Sequence, residues 1–161
     1  MAIKVGDRVP EGTLVKATAD GPGQVSAAEL FSNRTVALFS VPGAFTPTCS
    51  AKHLPGFVTH SAALMEKGVD EIVCLSVNDA FVMGAWARSA DAIGKVTMLA
   101  DGNADFTKAL GLEMDASKYG MGVRGQRFSM VVKDGVVSQL FVEEPGAFGV
   151  SSAEHMLAHL G

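Results

Sequence analysis

Apolar residues gather along the chain into short runs of strand length, separated by stretches with the three-to-four-residue apolar spacing of helices. Thr13–Ala17 predicts a short strand, closed by the turn formers Asp20-Gly21-Pro22-Gly23. Ser26-Ala27-Ala28-Glu29 has the form of a capping box and, with Leu30 and Phe31, predicts a short helix. Thr35–Val41 and Glu71–Val77 are nearly continuous apolar runs, the habit of strands buried on both faces. Between them a helix is expected from Pro47 to about Lys67, with Thr46 as N-cap, Gly68 as stop and Pro55 as an internal kink.

Asn78 and Asp79 can cap a following helix, in which Phe81, Val82, Ala85 and Trp86 form an apolar stripe. Val96–Ala100 predicts a further strand and Ala104–Leu110 a short helix, whereas the glycine-interrupted stretch 111–126 reads as a loop. Arg127–Lys133 and Val136–Val142, joined by Asp134-Gly135, carry the clearest hairpin pattern. Ser151-Ser152-Ala153-Glu154 opens a terminal helix through a second capping box. Alternating strands and helices, then a hairpin and a helix, predict an α/β fold with a thioredoxin-like mixed central sheet flanked by helices on both faces.

The 161 residues suit one domain, residues 1–161, with a single sizeable core. With 48% apolar and 19% charged residues, disorder is not expected. A net charge of −4 without a basic cluster argues against nucleic acid as a partner, and the apolar runs are too short to span a bilayer. The residues after Met1 lack a basic start and a hydrophobic run, so a cytoplasmic location is expected, where two cysteines fit free thiols better than a bridge.

Cys49 changes the picture most. If Thr46 caps the helix, Cys49 lies in its first turn, where unpaired N–H groups and the helix dipole favour the thiolate, the nucleophilic form. By position alone a merely packed cysteine is an equal reading. The stretch Val41-Pro42-Gly43-Ala44-Phe45-Thr46-Pro47-Thr48-Cys49-Ser50 carries a Pro-x-x-x-Thr-x-x-Cys signature and resembles the peroxiredoxin family. His53-Leu54-Pro55-Gly56-Phe57, Cys74–Asp79, Leu99-Ala100-Asp101 and Arg127–Val131 are similar to its plant type II, or peroxiredoxin-five, branch.

That resemblance implies a thiol-dependent peroxidase. Cys49 would attack the terminal peroxide oxygen and become a sulfenic acid, with Thr46 bonding the peroxide, Arg127 stabilising the thiolate and Pro42 shielding the site. No metal or organic cofactor is implied. Without the resemblance Thr46 reads as a cap, Arg127 as a surface charge and Pro42 as a turn former. Arg124 reads as an exposed charge in a glycine-rich setting. The resemblance also implies hydrogen peroxide and small alkyl hydroperoxides as substrates, and a homodimer to which Phe45 and the residues around Trp86 contribute.

Cys74, in mid-strand with no neighbouring cation, reads as an inert buried thiol. His53 stands four residues after Cys49, which raises a Cys-His hydrolase as an alternative; no orienting acid or oxyanion-hole pattern accompanies it. Some peroxiredoxin-five relatives carry a resolving cysteine before the terminal helix, where this chain has Ser152. The expected cycle therefore needs an outside thiol, glutathione with glutaredoxin, or thioredoxin. A slow-turnover peroxide sensor or redox partner protein is the competing reading.

Overall fold

The computed structural model describes residues 2–18 and 20–160. Seven strands form one mixed sheet: β1 (Thr13–Thr18), β2 (Gly21–Ser26), β3 (Thr35–Ser40), β4 (Glu71–Ser76), β5 (Thr97–Ala100), β8 (Phe128–Lys133) and β9 (Val136–Val142). Their spatial order is β2-β1-β5-β4-β3-β8-β9. The central β3, β4 and β5 run parallel; β8 is antiparallel to β3, and β1 to β5. This is the thioredoxin-like mixed sheet that the order of elements predicts.

The helices are α1 (Ala27–Phe31), α2 (Leu54–Thr59), α3 (Ser61–Glu66), α4 (Ala80–Ser89), α5 (Asp105–Leu110) and α6 (Ala153–His159). Alternation along the central strands assigns them to two layers. Ala37 and Phe39 of β3, with Cys74 of β4, join a buried cluster with residues of α2, α3, α4 and α6. Val36 and Leu38, with Val73 and Leu75, join the other, with α1 and α5. Successive side chains of one strand point to opposite faces, so both faces of the sheet are covered and the continuous apolar runs follow.

Several local expectations change. Residues 21–26 are not a turn but β2, with only Gly21 (φ +107°) in a conformation that favours glycine. Pro22 is accommodated because β2 is the edge of the sheet, where one side of the ladder is unpaired. The stretch 111–126 folds into a small ribbon of β6 (Glu113–Asp115) and β7 (Val123–Gly125) around a short 3₁₀ turn. On α4 the buried face is Ala80, Met83, Trp86 and Ala87, and Phe81 is 73% exposed. Both stripes have helical spacing, so periodicity could not choose between them. Asp79, whose carboxylate accepts from the Val82 N–H, sets where the helix begins.

The β8–β9 hairpin turns at Asp134 (φ +46°) and Gly135 (φ +79°), as the Asp-Gly pair predicts. The last helix is capped one residue later than its pattern suggests. Ser152, not Ser151, accepts from the backbone of His155, while the Ser151 hydroxyl donates to Glu143 and the Glu154 carboxylate pairs with His60.

Candidate active site

The site is built where β3 runs out. Val41 still bonds the carbonyl of Leu75, and the chain then turns through Pro42–Phe45, with Phe45 held at φ +64°. Ser50 N donates to Thr46 O at 2.9 Å, so Thr46 occupies the N-cap position and Cys49 the first turn. The Thr46 hydroxyl does not cap, however; it donates to the Gly43 carbonyl at 2.7 Å. Gly43 is packed so closely that a Cβ there would stand 3.1 Å from both Thr46 Cγ2 and Arg124 Nη1. Arg124 is half-buried rather than exposed, donating to the carbonyls of Met121 and Pro42. It thereby ties the ribbon to the turn before Cys49.

From Cys49 to His53 the helix widens into a π turn, in which Leu54 N donates to Cys49 O. Pro55 explains the position. It has no N–H to give and its ring would crowd an α-helical carbonyl one turn back, and a π turn just before it relieves both. The irregularity expected at Pro55 thus takes the form of a π turn over Cys49–His53, and the single helix expected to Lys67 is divided again at His60, between α2 and α3.

Cys49 is fully buried. Arg127, from the residue before β8, reaches it: Nη2 donates to Cys49 Sγ at 3.0 Å, and Nη1 donates to His53 Nδ1 at 2.8 Å. His53 Nε2 donates in turn to the Ser151 carbonyl at 2.9 Å. Burial first, and the Arg127 charge second, push the His53 pKa down to about 3, so the ring is neutral and a single tautomer satisfies both contacts. Phe39, Phe57 and Phe148 pack around it. His53 thus meets Arg127, not Cys49, and both ring nitrogens are engaged. The Cys-His pairing that a hydrolase needs is absent among these contacts.

Cys74 lies in the same buried cluster as Cys49, on the central strand β4. Burial, and then the nearby Cys49, push its thiol pKa well up, which keeps it protonated. Ser152 spends its hydroxyl oxygen as a helix cap. Beside Arg127 opens a cleft of about 640 Å³ bordered by Pro42, Thr48, Met114, Tyr119, Glu143 and Pro145. Pro42 and Arg127 thus border one cleft, Arg127 reaches Cys49, and Thr46 stands at the start of the helix that carries Cys49.

The Redoxin family matches residues 4–157. The chain is 53% identical over 98% of its length to peroxiredoxin-2E-2 of rice, a chloroplastic protein of which it covers 72%. It belongs to the peroxiredoxin family. Peroxiredoxin-2B of Arabidopsis thaliana is 47% identical, with 98% of each chain covered, which places this peroxiredoxin in the plant type II branch. The crystal structure of reduced Prx3 from Vibrio vulnificus in complex with hydrogen peroxide superposes with a TM-score of 0.94, at 50% identity and 99% coverage of both chains. The protein is accordingly a thiol-dependent peroxidase.

Two residues in the contacts around Arg127 escape the sequence pattern. His53 is visible only as a possible partner of Cys49, and nothing in the spacing shows that a guanidinium stands between them. Glu143, whose carboxylate binds the loop beneath His53, carries no sequence signal beyond being charged next to an apolar strand.

Proposed function

We propose that this peroxiredoxin reduces hydrogen peroxide and small alkyl hydroperoxides with Cys49 as the attacking thiolate. The contact between Arg127 Nη2 and Cys49 Sγ, at 3.0 Å in a buried first turn, is the observation that carries the reading. A guanidinium there offers one donor to the sulfur and another to the charge that develops on oxygen as the O–O bond breaks. Thr46 gives its own proton to Gly43, so the lone pairs of its hydroxyl remain to accept the proton of the hydroperoxide. Pro42 borders the cleft and limits water at the sulfur. Sulfur takes the terminal oxygen to become a sulfenic acid, and the other oxygen leaves as water or an alcohol.

Because Ser152 replaces a resolving cysteine and Cys74 is held protonated in the core, an external thiol closes the cycle. Glutathione condenses with the sulfenic acid, releasing water, and a second thiol, on glutaredoxin, exchanges out the mixed disulfide. Two free cysteines fit a reducing cytoplasmic setting and an antioxidant role there. A homodimer is the proposed assembly. Phe45, 53% exposed and packed against Trp86, and Phe81, 73% exposed on α4, are the apolar residues a second copy would cover.

Peroxide consumption coupled to glutathione and glutaredoxin tests the reading. Cys49→Ser should abolish turnover with the fold intact, and Cys74→Ser should retain most of it. Full activity in the Cys49 variant would sink the assignment. Stoichiometric oxidation of Cys49 without repeated cycles would favour the sensor reading instead.

A further inference from the structure

Around Arg127 the contacts close into a ring, of which the peroxidase chemistry above uses only the contact of Arg127 with Cys49. Glu143 follows β9, and its backbone N–H donates to the Arg127 carbonyl at 3.0 Å. One oxygen of its carboxylate, Oε2, accepts from Gly149 N at 2.7 Å, Ser151 N at 2.8 Å and Ser151 Oγ at 2.6 Å. The loop so gathered returns to the site twice, through the Ser151 carbonyl on His53 Nε2 and through the Phe148 ring, 5.2 Å from the imidazole centre. His53 Nδ1 then receives Arg127 Nη1, and Arg127 Nη2 meets Cys49.

We propose that Glu143 is a positioning residue for peroxide reduction: by pinning the loop of Gly149 and Ser151 it fixes the tautomer of His53, and through it the aim of the Arg127 guanidinium at Cys49. The proposal rests on the reading of Cys49 as the attacking thiolate.

The reason lies in the neutral imidazole. A neutral ring carries one N–H, and its place is set by what the other partners offer. The Ser151 carbonyl can only accept, so it holds the proton on Nε2 and leaves a lone pair on Nδ1 for the guanidinium. Without that carbonyl the Nδ1–H tautomer becomes accessible, and an N–H would then face the N–H of Arg127, two donors in opposition. A guanidinium without its second anchor samples other rotamers and loses its geometry toward the sulfur. Glu143 is only 8% exposed and finds three donors on one oxygen, so its carboxylate is committed to the loop. Burial would raise its pKa, but the N–H and O–H donors of Gly149, Ser151 and Val150 outweigh burial and keep it below the ordinary carboxylate value.

The test compares wild type, Glu143→Gln, Ser151→Ala, His53→Ala and the Glu143→Gln/His53→Ala double variant. Two readouts are taken: the stopped-flow rate of Cys49 oxidation by hydrogen peroxide, followed through Trp86, whose indole donates to Ser50 beside Cys49, and the ring-nitrogen NMR pattern of His53. Glu143→Gln should slow oxidation about tenfold, the size commonly carried by partners one step removed from a reactive group, and should erase the pure Nε2–H pattern. In the double variant it should add much less than that factor, because its route through His53 is already cut. Ser151→Ala keeps the carbonyl and removes one donor, so a smaller slowing in the same direction is expected.

A wild-type rate with an unchanged His53 pattern in Glu143→Gln would overturn the proposal, as would effects that simply multiply in the double variant. If Glu143→Gln does not fold, a wild-type rate in Ser151→Ala overturns it equally. If wild-type Cys49 itself is not oxidised, the peroxidase assignment of Cys49 falls and takes the proposal with it. Normal wild-type oxidation with an indifferent Glu143 removes the proposal alone.

Discussion

Arg127 meets the sulfur and the imidazole with two different guanidinium nitrogens, which fixes its plane as well as its position. Arg127→Ala should therefore slow Cys49 oxidation by about 10²–10³, the usual loss when a donor aimed at developing charge is removed. Thr46→Val should do likewise and Thr46→Ser much less, since only the hydroxyl is required. Stopped-flow rates equal to wild type would exclude either residue from the reaction. His53 makes a second prediction. Its folded pKa is about 3 against 6.5 for the free group, so between these values the unfolded chain binds a proton that the folded chain refuses. Stability should fall as pH drops from about 6.5 toward 3, by an amount on the order of a few kcal/mol. His53→Asn should flatten that part of the pH–stability curve, and identical slopes in chemical denaturation would contradict the burial argument.

At the scale of elements, turns and helix starts carry the positional information. Gly135 sits at φ +79°, and a Cβ on it would approach Arg8 Nη1 to 2.8 Å. Gly135→Ala should cost about 1 kcal/mol or more in unfolding free energy while leaving peroxide turnover unchanged, because the turn lies at the far end of β8 from Arg127. A variant as stable as wild type would mean that the hairpin accepts another turn. The capping box of α1, Asp79 on α4 and the positive φ of Gly68 after α3 are similarly local, and each was legible in the sequence. The π turn was not, because its cause is the conjunction of Pro55 with a helix that must still present Cys49 to Arg127. The choice of buried face on α4 was equally hidden, since two helical stripes compete there.

On the scale of the whole molecule, the site is assembled at the end of the central strands from segments 78 positions apart in sequence, Cys49 and Arg127. Cys49 and Cys74 share one packed cluster, and Cys74 is held in the middle strand of the parallel trio. One equivalent of peroxide followed by glutathione should therefore yield a glutathione adduct on Cys49 by intact mass spectrometry. A rapid Cys49–Cys74 disulfide, reduced at full turnover by thioredoxin alone, would reverse that expectation. No helix among the described residues is long and apolar enough to cross a membrane. Replacing exposed Phe81 by Glu should shift the sedimentation coefficient toward that of a monomer if this face pairs two copies, and an unchanged value would place the dimer contact elsewhere.

The sequence by itself determined what depends on neighbours along the chain. Strand-length apolar runs, caps and turn residues set the order of elements and hence the mixed sheet, and Thr46 before Pro47 placed Cys49 in a helix start. The sequence also marked Arg127, though only by resemblance, because a charge at a strand edge has no local reason to be half-buried. Tertiary structure alone decided what depends on packing. The guanidinium stands between Cys49 and His53 because β8 pairs with β3 beside the widened helix turn. His53 is neutral because Phe39, Phe57, Phe148 and the Ser151 loop exclude water from it. Such contacts join residues tens of positions apart, and their energies come from burial and angle, which no periodicity along a chain encodes.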